Sequence, residues 1–286
     1  MRAHVAWGPF LAGTILLFSG GIRRCPAAAA WETATPEHMG MNQAKLSEAR
    51  TYATNAGGSG LITRSGKAVM SWGSQTQTYD LKSTTKSIGV TTLGLAIKDG
   101  LMALDGKAQQ YLATIGTPPA ANEATGWLDD ITIRHLATQT AGFDKPGGYG
   151  LLLFAPGTMW AYSDGGPNWL ADCLTVTYQQ DLNTLLFSRV FTPIGITTAD
   201  LTWRDNGYRE DTISGYKRRE FGAGISANVN AMARIGYLYL RRGQWGAQQI
   251  LEASWIDMVR QTVPGVPGLV VGFRQARLQK NLEKLG

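Results

Sequence analysis

The sequence is poor in the residues that build metal, haem and disulfide sites. It has two cysteines and three histidines among 286 residues, and clusters of these residues are what zinc sites require. A Ser-His-Asp triad is disfavoured as well, because no Gly-x-Ser-x-Gly motif occurs and His135 lies in an apolar helical stretch typical of a core residue. The glycines of 222–227 imitate a dinucleotide fingerprint, but the charged segment 217–220 precedes them where an apolar strand is required. We therefore expect no metal and no organic cofactor.

The sequence also lacks an apolar run long enough to cross a membrane. The stretch from Val5 to Phe18 contains Pro9 and falls short of the roughly 20 residues that a spanning helix needs. Arg2 before it, and the small residues that end at Ala30, are typical of a signal peptide. We predict export to the periplasm or the extracellular space, with residues 1–30 removed. Retention of this segment as a membrane anchor is the alternative.

Neither a strong charge imbalance nor a low-complexity linker marks the chain. Three arginines of residues 1–30 account for half of the formal net charge of +6, which is too little to indicate a nucleic-acid surface. Removal of that segment also removes Cys25, and the remaining Cys173 cannot form an intrachain disulfide. No repeat or linker divides residues 31–286, so we predict a single domain. The sequence indicates no particular oligomeric state.

Apolar periodicity and turn residues predict a mixed fold in which an antiparallel hairpin comes early and helices dominate afterwards. The sequence between residues 99 and 200 is mostly helical in pattern and rich in loops, and we interpret it as a helical insertion between early and late strands. The fold class is α/β (α+β), with a mainly antiparallel sheet. The predicted strands are 61–64 and 67–72, joined by Ser65 and Gly66, and 269–273; the predicted helices are 42–55, 83–98, 169–187, 228–242 and 254–260.

Ser83 and Lys86 form the one Ser-x-x-Lys pattern in the chain. If a helix begins at Ser83, the two side chains share a face, and the ammonium group can reach the hydroxyl group. A serine hydroxyl becomes a strong nucleophile when a neighbouring base takes its proton. The structural alternative is that Ser83 only caps the helix while Lys86 is solvated. That alternative fits poorly, because a lysine in the first turn faces the positive end of the helix dipole.

Tyr162 and Asp164 follow a turn-rich stretch that would hold a tyrosine in a loop at the edge of a cleft. A phenol next to a lysine ammonium can ionise more easily and act as a general base. Trp160, two residues earlier, is the aromatic residue best placed to contact a substrate. The other aromatic residues are typical of a core.

These motifs, in this order and spacing, resemble those of class C β-lactamases, D-alanyl-D-alanine peptidases and family VIII carboxylesterases. The similarity extends over roughly residues 39–262. It implies a β-lactamase/transpeptidase-like fold in which Ser83, activated by Lys86 and Tyr162, forms an acyl-enzyme with a small-molecule ester, β-lactam or D-amino peptide. Gln139 stands where the family usually has a second histidine, and we interpret it as structural. Asp164 stands where class C enzymes have asparagine, and its carboxylate would favour the charged form of Lys86, which weakens that residue as a base.

One family motif is missing from this pattern. The family has a Lys-x-Gly or His-x-Gly strand well over a hundred residues after the tyrosine, and its backbone donates to the oxyanion. Lys284, Leu285 and Gly286 fit the pattern only formally, at a polar tail. We therefore expect a chain whose late strands are missing. The rival hypothesis is a non-catalytic remnant or binding module that keeps the cleft without turnover.

Overall fold

The structure is a computed structural model that describes residues 30–263 and 266, together with the backbone of residues 17–18. In this described part the strands are β1 (Leu17–Phe18), β2 (Glu32–Thr33), β3 (Gly60–Arg64), β4 (Lys67–Trp72), β5 (Tyr79–Asp80), β6 (Leu201–Trp203), β7 (Thr212–Ile213), β8 (Tyr216–Lys217), β9 (Ile225–Ala227), β10 (Gln244–Trp245) and β11 (Gln248–Gln249). The α-helices are α1 (Gln43–Thr54), α2 (Thr84–Gly89), α3 (Thr91–Lys98), α4 (Ile133–Thr138), α5 (Gly165–Tyr178), α6 (Leu182–Leu186), α7 (Val229–Leu240) and α8 (Ala253–Met258).

The described chain forms two compact units. The first comprises the described residues up to Leu81, with Phe187–Thr202 and Ser226–Ile250. The second comprises Lys82–Leu186, Trp203–Ile225 and the described residues from Leu251 onward. The division of the chain into residues 1–30 and a single domain over 31–286 stays a prediction.

The first unit is built around the predicted hairpin, which is confirmed. Strands β3 and β4 pair antiparallel around Ser65 and Gly66, while β1 joins β3 and β2 joins β4 in parallel. Because successive residues of a strand point to opposite faces, Ile62 packs with Leu46 of α1, and Leu61 packs with Val229 of α7. The hairpin is therefore covered on both faces, which explains why β3 has apolar residues at the adjacent positions 61 and 62.

The helices at the ends of the chain agree with the sequence patterns. Helix α1 lies within the predicted range 42–55, and the side chain of Asn42 caps it by accepting from the backbone N–H of Lys45 at 2.9 Å. Helices α7 and α8 lie within or next to the predicted ranges 228–242 and 254–260. The predicted strand 269–273 lies outside the described residues.

Two of the helix predictions in the second unit are wrong in extent. The predicted helix 83–98 is two short helices, α2 and α3, which meet at Val90. The predicted helix 169–187 begins earlier, at Gly165, and α5 ends at Tyr178, where Gln179 adopts the left-handed conformation. The regular elements between residues 99 and 200 are otherwise helical, as expected for the predicted insertion.

A buried ion cluster joins the segment 203–225 to α5. The carboxylate of Asp172 accepts from Arg209 at 2.7 Å and from Arg218 at 3.1 Å, and all three side chains are nearly inaccessible to solvent. The guanidinium of Arg209 also lies 4.1 Å from the ring centroid of Trp169. Removing one member would leave a buried charge without its partner, which is strongly unfavourable. The cluster therefore fixes this segment, and with it Gly222, against the helix that follows Asp164.

Candidate active site

Ser83 lies at the first turn of α2, where the structure tests the idea that it only caps the helix. Its side chain makes no capping hydrogen bond. It accepts instead from Lys86, whose Nζ lies 3.2 Å from Ser83 Oγ. The buried hydroxyl of Thr85 accepts from the backbone N–H of Ile225 at 2.9 Å, which fixes the start of the helix. The spacing i, i+3 thus places the ammonium and the hydroxyl on one face.

The ammonium group of Lys86 is the centre of the site. It lies 3.2 Å from Ser83 Oγ, 3.2 Å from Tyr162 OH and 2.7 Å from the carbonyl oxygen of Gly222, and it also pairs with Asp164. Only 11% of the Lys86 side chain is exposed. An ammonium has three protons to donate, so four acceptors cannot all be served at once. The carboxylate and the carbonyl are its shorter contacts, and Ser83 and Tyr162 share what remains.

Asp164 lies between two lysines. Its Oδ1 pairs with Lys86, and its Oδ2 pairs with Lys145, whose side chain is about half exposed. The Lys145 ammonium also lies 5.3 Å from the ring centroid of Tyr162. Sequence reasoning missed Lys145, although Lys145, Pro146 and Gly147 repeat the Lys-x-Gly pattern that was sought near the C-terminus. The pattern lies on a loop here, and its lysine contributes a second positive charge to the site.

Tyr162 and Trp160 lie in the loop before α5, and hydrogen bonds to the residues on either side of Tyr162 fix this loop. Gln139 supplies two of these contacts: its backbone oxygen accepts from Ala161 N at 3.2 Å, and its Oε1 accepts from Ser163 N at 2.8 Å. The structural role predicted for Gln139 is therefore seen directly. The rings of Trp160 and Tyr162 lie 6.4 Å apart between centroids, so Trp160 flanks the tyrosine.

His135 does not belong to the core, contrary to the expectation from its apolar stretch. It is partly buried at the start of α4. Its side-chain Nδ1 accepts from the backbone N–H of Thr132 at 3.2 Å, and its backbone N–H donates to Thr132 Oγ1 at 3.2 Å. Burial lowers the pKa of its imidazole, and the positive charges of Lys107 and Arg134 lower it further. His135 is thus a capping residue held in its neutral form.

The described residues show neither a cluster of metal ligands nor a membrane-spanning helix. No group of three or more His, Cys, Asp or Glu side chains within residues 30–263 is arranged to hold a metal ion. No helix in that part of the chain has both the length and the apolar character that a membrane crossing requires. The formal motif at Lys284 to Gly286 lies outside the described residues.

The chain resembles several solved structures over most of its length. A β-lactamase from Mycobacterium bovis is 22% identical, with a TM-score of 0.51 over 72% of this chain and 61% of its own. A protein described as a 6-aminohexanoate-dimer hydrolase from Bacillus anthracis is 14% identical, with a TM-score of 0.60 over 85% of this chain and 71% of its own. A hydrolase with promiscuous acyltransferase activity is 17% identical, with a TM-score of 0.56 over 76% of each chain.

These structures share the fold with this chain, which spans about three fifths of the length of the mycobacterial protein. No curated protein matches the sequence. The β-lactamase/transpeptidase-like fold, with small antiparallel sheets and several helices, is confirmed. The family model named Beta-lactamase matches residues 47–274, well over half of the sequence. The chain therefore belongs to the β-lactamase family, whose fold is that of a serine hydrolase.

Proposed function

We propose that the protein is an exported serine hydrolase that works through an acyl-enzyme on Ser83. The observation that carries this proposal is the position of the Lys86 ammonium, which lies 3.2 Å from both Ser83 Oγ and Tyr162 OH. A nucleophile and a proton acceptor held by one cation can exchange a proton over a short path. Neither role requires a metal or an organic cofactor.

The contacts of Lys86 support Tyr162 as the base. Asp164 and the Gly222 carbonyl both accept hydrogen bonds from the Lys86 ammonium group, and such acceptors stabilise a charged donor. A charged lysine cannot take the proton of Ser83, but it stabilises a phenolate that can. Tyr162 as phenolate would take that proton while Ser83 Oγ forms a bond to the substrate carbonyl carbon. The bond from that carbon to the leaving group would then break, and the protonated Tyr162 would give its proton to the leaving group as the acyl-enzyme forms.

Hydrolysis of the acyl-enzyme repeats these steps, with water as the nucleophile and Ser83 as the leaving group. Tyr162 would take a proton from a water molecule, and the resulting hydroxide would attack the acyl carbon. The bond from that carbon to Ser83 Oγ would break, and the proton would return to Ser83. Lys86 stays charged throughout and offsets the negative charge that passes between Ser83 and Tyr162.

The proposed substrates are carboxylic esters, β-lactams and peptides that end in D-amino acids, which share an acyl carbonyl. Trp160 and Asp164 would contact the substrate beside Tyr162. The experiment compares a chromogenic ester, a chromogenic cephalosporin and a D-alanyl-D-alanine peptide with the purified chain. Hydrolysis of at least one of them should be lost in Ser83→Ala and kept in Ser71→Ala, which removes an exposed hydroxyl from β4. Equal activity of wild type and Ser83→Ala would refute the proposal.

A binding module without turnover is the second candidate. It is favoured by the described strands, none of which carries a Lys-x-Gly or His-x-Gly sequence that could complete the oxyanion site. Loss of one such donor typically costs about 100- to 1,000-fold in turnover. A stoichiometric acyl-enzyme that forms and is not hydrolysed would identify this candidate, whereas repeated turnover would exclude it.

Export is proposed from the N-terminal sequence, and the position of Trp31 is compatible with cleavage after Ala30. The indole N–H of Trp31 donates to Asn230 Oδ1 at 2.9 Å, and its ring packs edge-on against Tyr237 with centroids 5.7 Å apart. A chain that begins at Trp31 would keep these contacts. N-terminal sequencing of the secreted protein should read Trp31 first, while an intact Met1 on a membrane-bound protein would contradict the prediction.

A further inference from the structure

Asn168 is a fully buried amide in α5, one turn after Asp164, and the proposed catalytic steps give it no role. Its relative exposure is 0%. Asparagine is an unfavourable residue inside a helix because its side chain competes for backbone hydrogen bonds. A buried amide also loses its hydration and needs partners in return. Its presence at this position therefore calls for a specific set of contacts.

The side chain of Asn168 makes these contacts with two separate loops. Its Nδ2 donates to the carbonyl oxygen of Gly147 at 2.8 Å. Its Oδ1 accepts from the backbone N–H of Phe221 at 2.9 Å and from that of Gly222 at 3.2 Å. One loop presents an acceptor and the other presents two donors, so only one orientation of the amide satisfies both. A carboxylate or an aliphatic side chain of similar size would fail at one loop or at both.

Both loops place charged or polar groups in the candidate active site. Gly222 donates its N–H to Asn168, and its carbonyl oxygen accepts from Lys86 at 2.7 Å. Gly147 follows two residues after Lys145, the second lysine that pairs with Asp164. The fit is close, because a Cβ added at Gly222 would lie 3.0 Å from the Cβ of Asp164. Movement of either loop would change which acceptors share the protons of Lys86.

We propose that Asn168 is a positioning residue that sets the acylation rate by holding the Gly222 carbonyl against Lys86 and the Lys145 loop against Asp164. This inference rests on the proposed acylation of Ser83. With the Gly222 carbonyl fixed, one proton of Lys86 is committed to it, and another is committed to Asp164. The contact of Lys86 with Ser83 and Tyr162 then keeps its geometry, on which the proton transfer depends.

A purely structural role for Asn168 predicts something different. In that case its replacement lowers the fraction of folded protein, but each folded molecule reacts at the normal rate. Single-turnover acylation by a fluorophosphonate or an activated ester separates the two. The amplitude reports how many molecules have a competent site, and the rate constant reports how well each site works.

The test compares Asn168→Ser, Gly222→Ala and Thr175→Val with the wild type. Serine is too short to reach both loops and introduces no charge. Thr175 is the matched control, since it is a buried polar residue of the same helix whose hydroxyl donates within α5 to Ala171 O at 2.8 Å. We expect Asn168→Ser to slow acylation about 10- to 100-fold at saturation, the scale of a misplacement near 1 Å. The dissociation constant of the ester should change less than about threefold, and Thr175→Val should acylate at the wild-type rate.

Each outcome decides between the hypotheses. If the wild type is not acylated at Ser83, the proposed function fails, whatever Asn168 does. If the wild type is acylated and Asn168→Ser reacts with the wild-type rate constant, the positioning role of Asn168 is refuted. Slowing of Thr175→Val to the same extent would also refute it. If Asn168→Ser does not fold, Gly222→Ala decides, because its added methyl group should displace the carbonyl and slow acylation; an unchanged rate constant would overturn the inference.

Discussion

At the scale of single residues, the contacts of Lys86 are the basis of the proposal that this lysine assists the reaction without acting as its base. Its ammonium group donates to the carboxylate of Asp164 and to the carbonyl of Gly222, and it also contacts the hydroxyl group of Tyr162. In the proposed mechanism, Asp164 holds Lys86 as an ion pair, and the hydroxyl group of Tyr162 carries out the proton transfer.

The first prediction concerns the hydroxyl group of Tyr162. Tyr162→Phe should slow acylation of Ser83 about 100- to 10,000-fold, the usual contribution of a general base. The ring and its contact with Trp160 are kept, so the dissociation constant of the substrate should stay nearly constant. Single-turnover kinetics on an activated ester measures both quantities. An unchanged acylation rate would make Tyr162 a wall of the cleft and transfer the base role to Lys86.

The second prediction tests whether Asp164 is the reason that Tyr162 holds this role. Asp164→Asn removes the negative charge that pairs with Lys86. In that background, Tyr162→Phe should cost at least about tenfold less in the acylation rate, because Lys86 can then accept the proton. The measurement is a double-mutant cycle with the two single variants and the double variant. Equal costs of Tyr162→Phe in both backgrounds would show that Asp164 does not control the choice of base.

Residue identity and spacing predicted part of this site. Ser83, Lys86, Tyr162 and Asp164 could be selected from two short motifs, and the structure brings all four together around one ammonium group. Lys145 and the Gly222 carbonyl could not be selected in the same way. Their position depends on the paths of two loops, and a backbone carbonyl leaves no signal in the identity of its residue.

At the scale of secondary-structure elements, the start of α4 gives a prediction about pH. The neutral Nδ1 of His135 accepts from Thr132 N, and burial lowers the pKa of the imidazole. An unfolded histidine, with its pKa near 6.5, therefore binds a proton before the folded one does. Protons favour the unfolded state, so the contribution of His135 to stability is present above about pH 6.5 and is lost as the pH falls below it.

The comparison with His135→Gln isolates this effect. Glutamine can keep the reciprocal capping contact with Thr132, and it does not titrate. Thermal melts at pH 7 and pH 5 should show a larger loss of stability for the wild type than for His135→Gln, by an amount on the order of 1 kcal/mol, the usual value of a cap. The same pH dependence in both proteins would mean that other groups cause it.

Elements were easier to predict where one local signal dominates. The hairpin followed from the two-residue turn of Ser65 and Gly66 between two apolar segments, and α1 followed from its cap at Asn42. The break between α2 and α3 carries no such signal, since Gly89 and Val90 lie inside an apolar pattern. Gly89 is required there by tertiary contact, because a Cβ at this position would lie 2.8 Å from the ring of Phe221.

At the scale of the whole molecule, membership of the β-lactamase family rests on a match over residues 47–274. Three solved structures that share the fold are 14% to 22% identical to this chain, and their descriptions name different activities. The family match supports a serine hydrolase in general, and the substrate class belongs to the proposal. The proposed site combines Ser83 and Lys86 with Tyr162 and Asp164, which lie in two segments far apart in sequence. Of these, only the nucleophile, Ser83, becomes covalently acylated in the proposed reaction.

The most direct test of the account is to identify the residue that becomes acylated. The full chain is incubated with a fluorophosphonate or a labelled penicillin, digested, and mapped by mass spectrometry, with Ser83→Ala and Ser71→Ala treated in parallel. The account predicts one adduct, on the peptide that contains Ser83, present in the wild type and in Ser71→Ala and absent from Ser83→Ala. An adduct on another residue, or labelling that persists in Ser83→Ala, would contradict it.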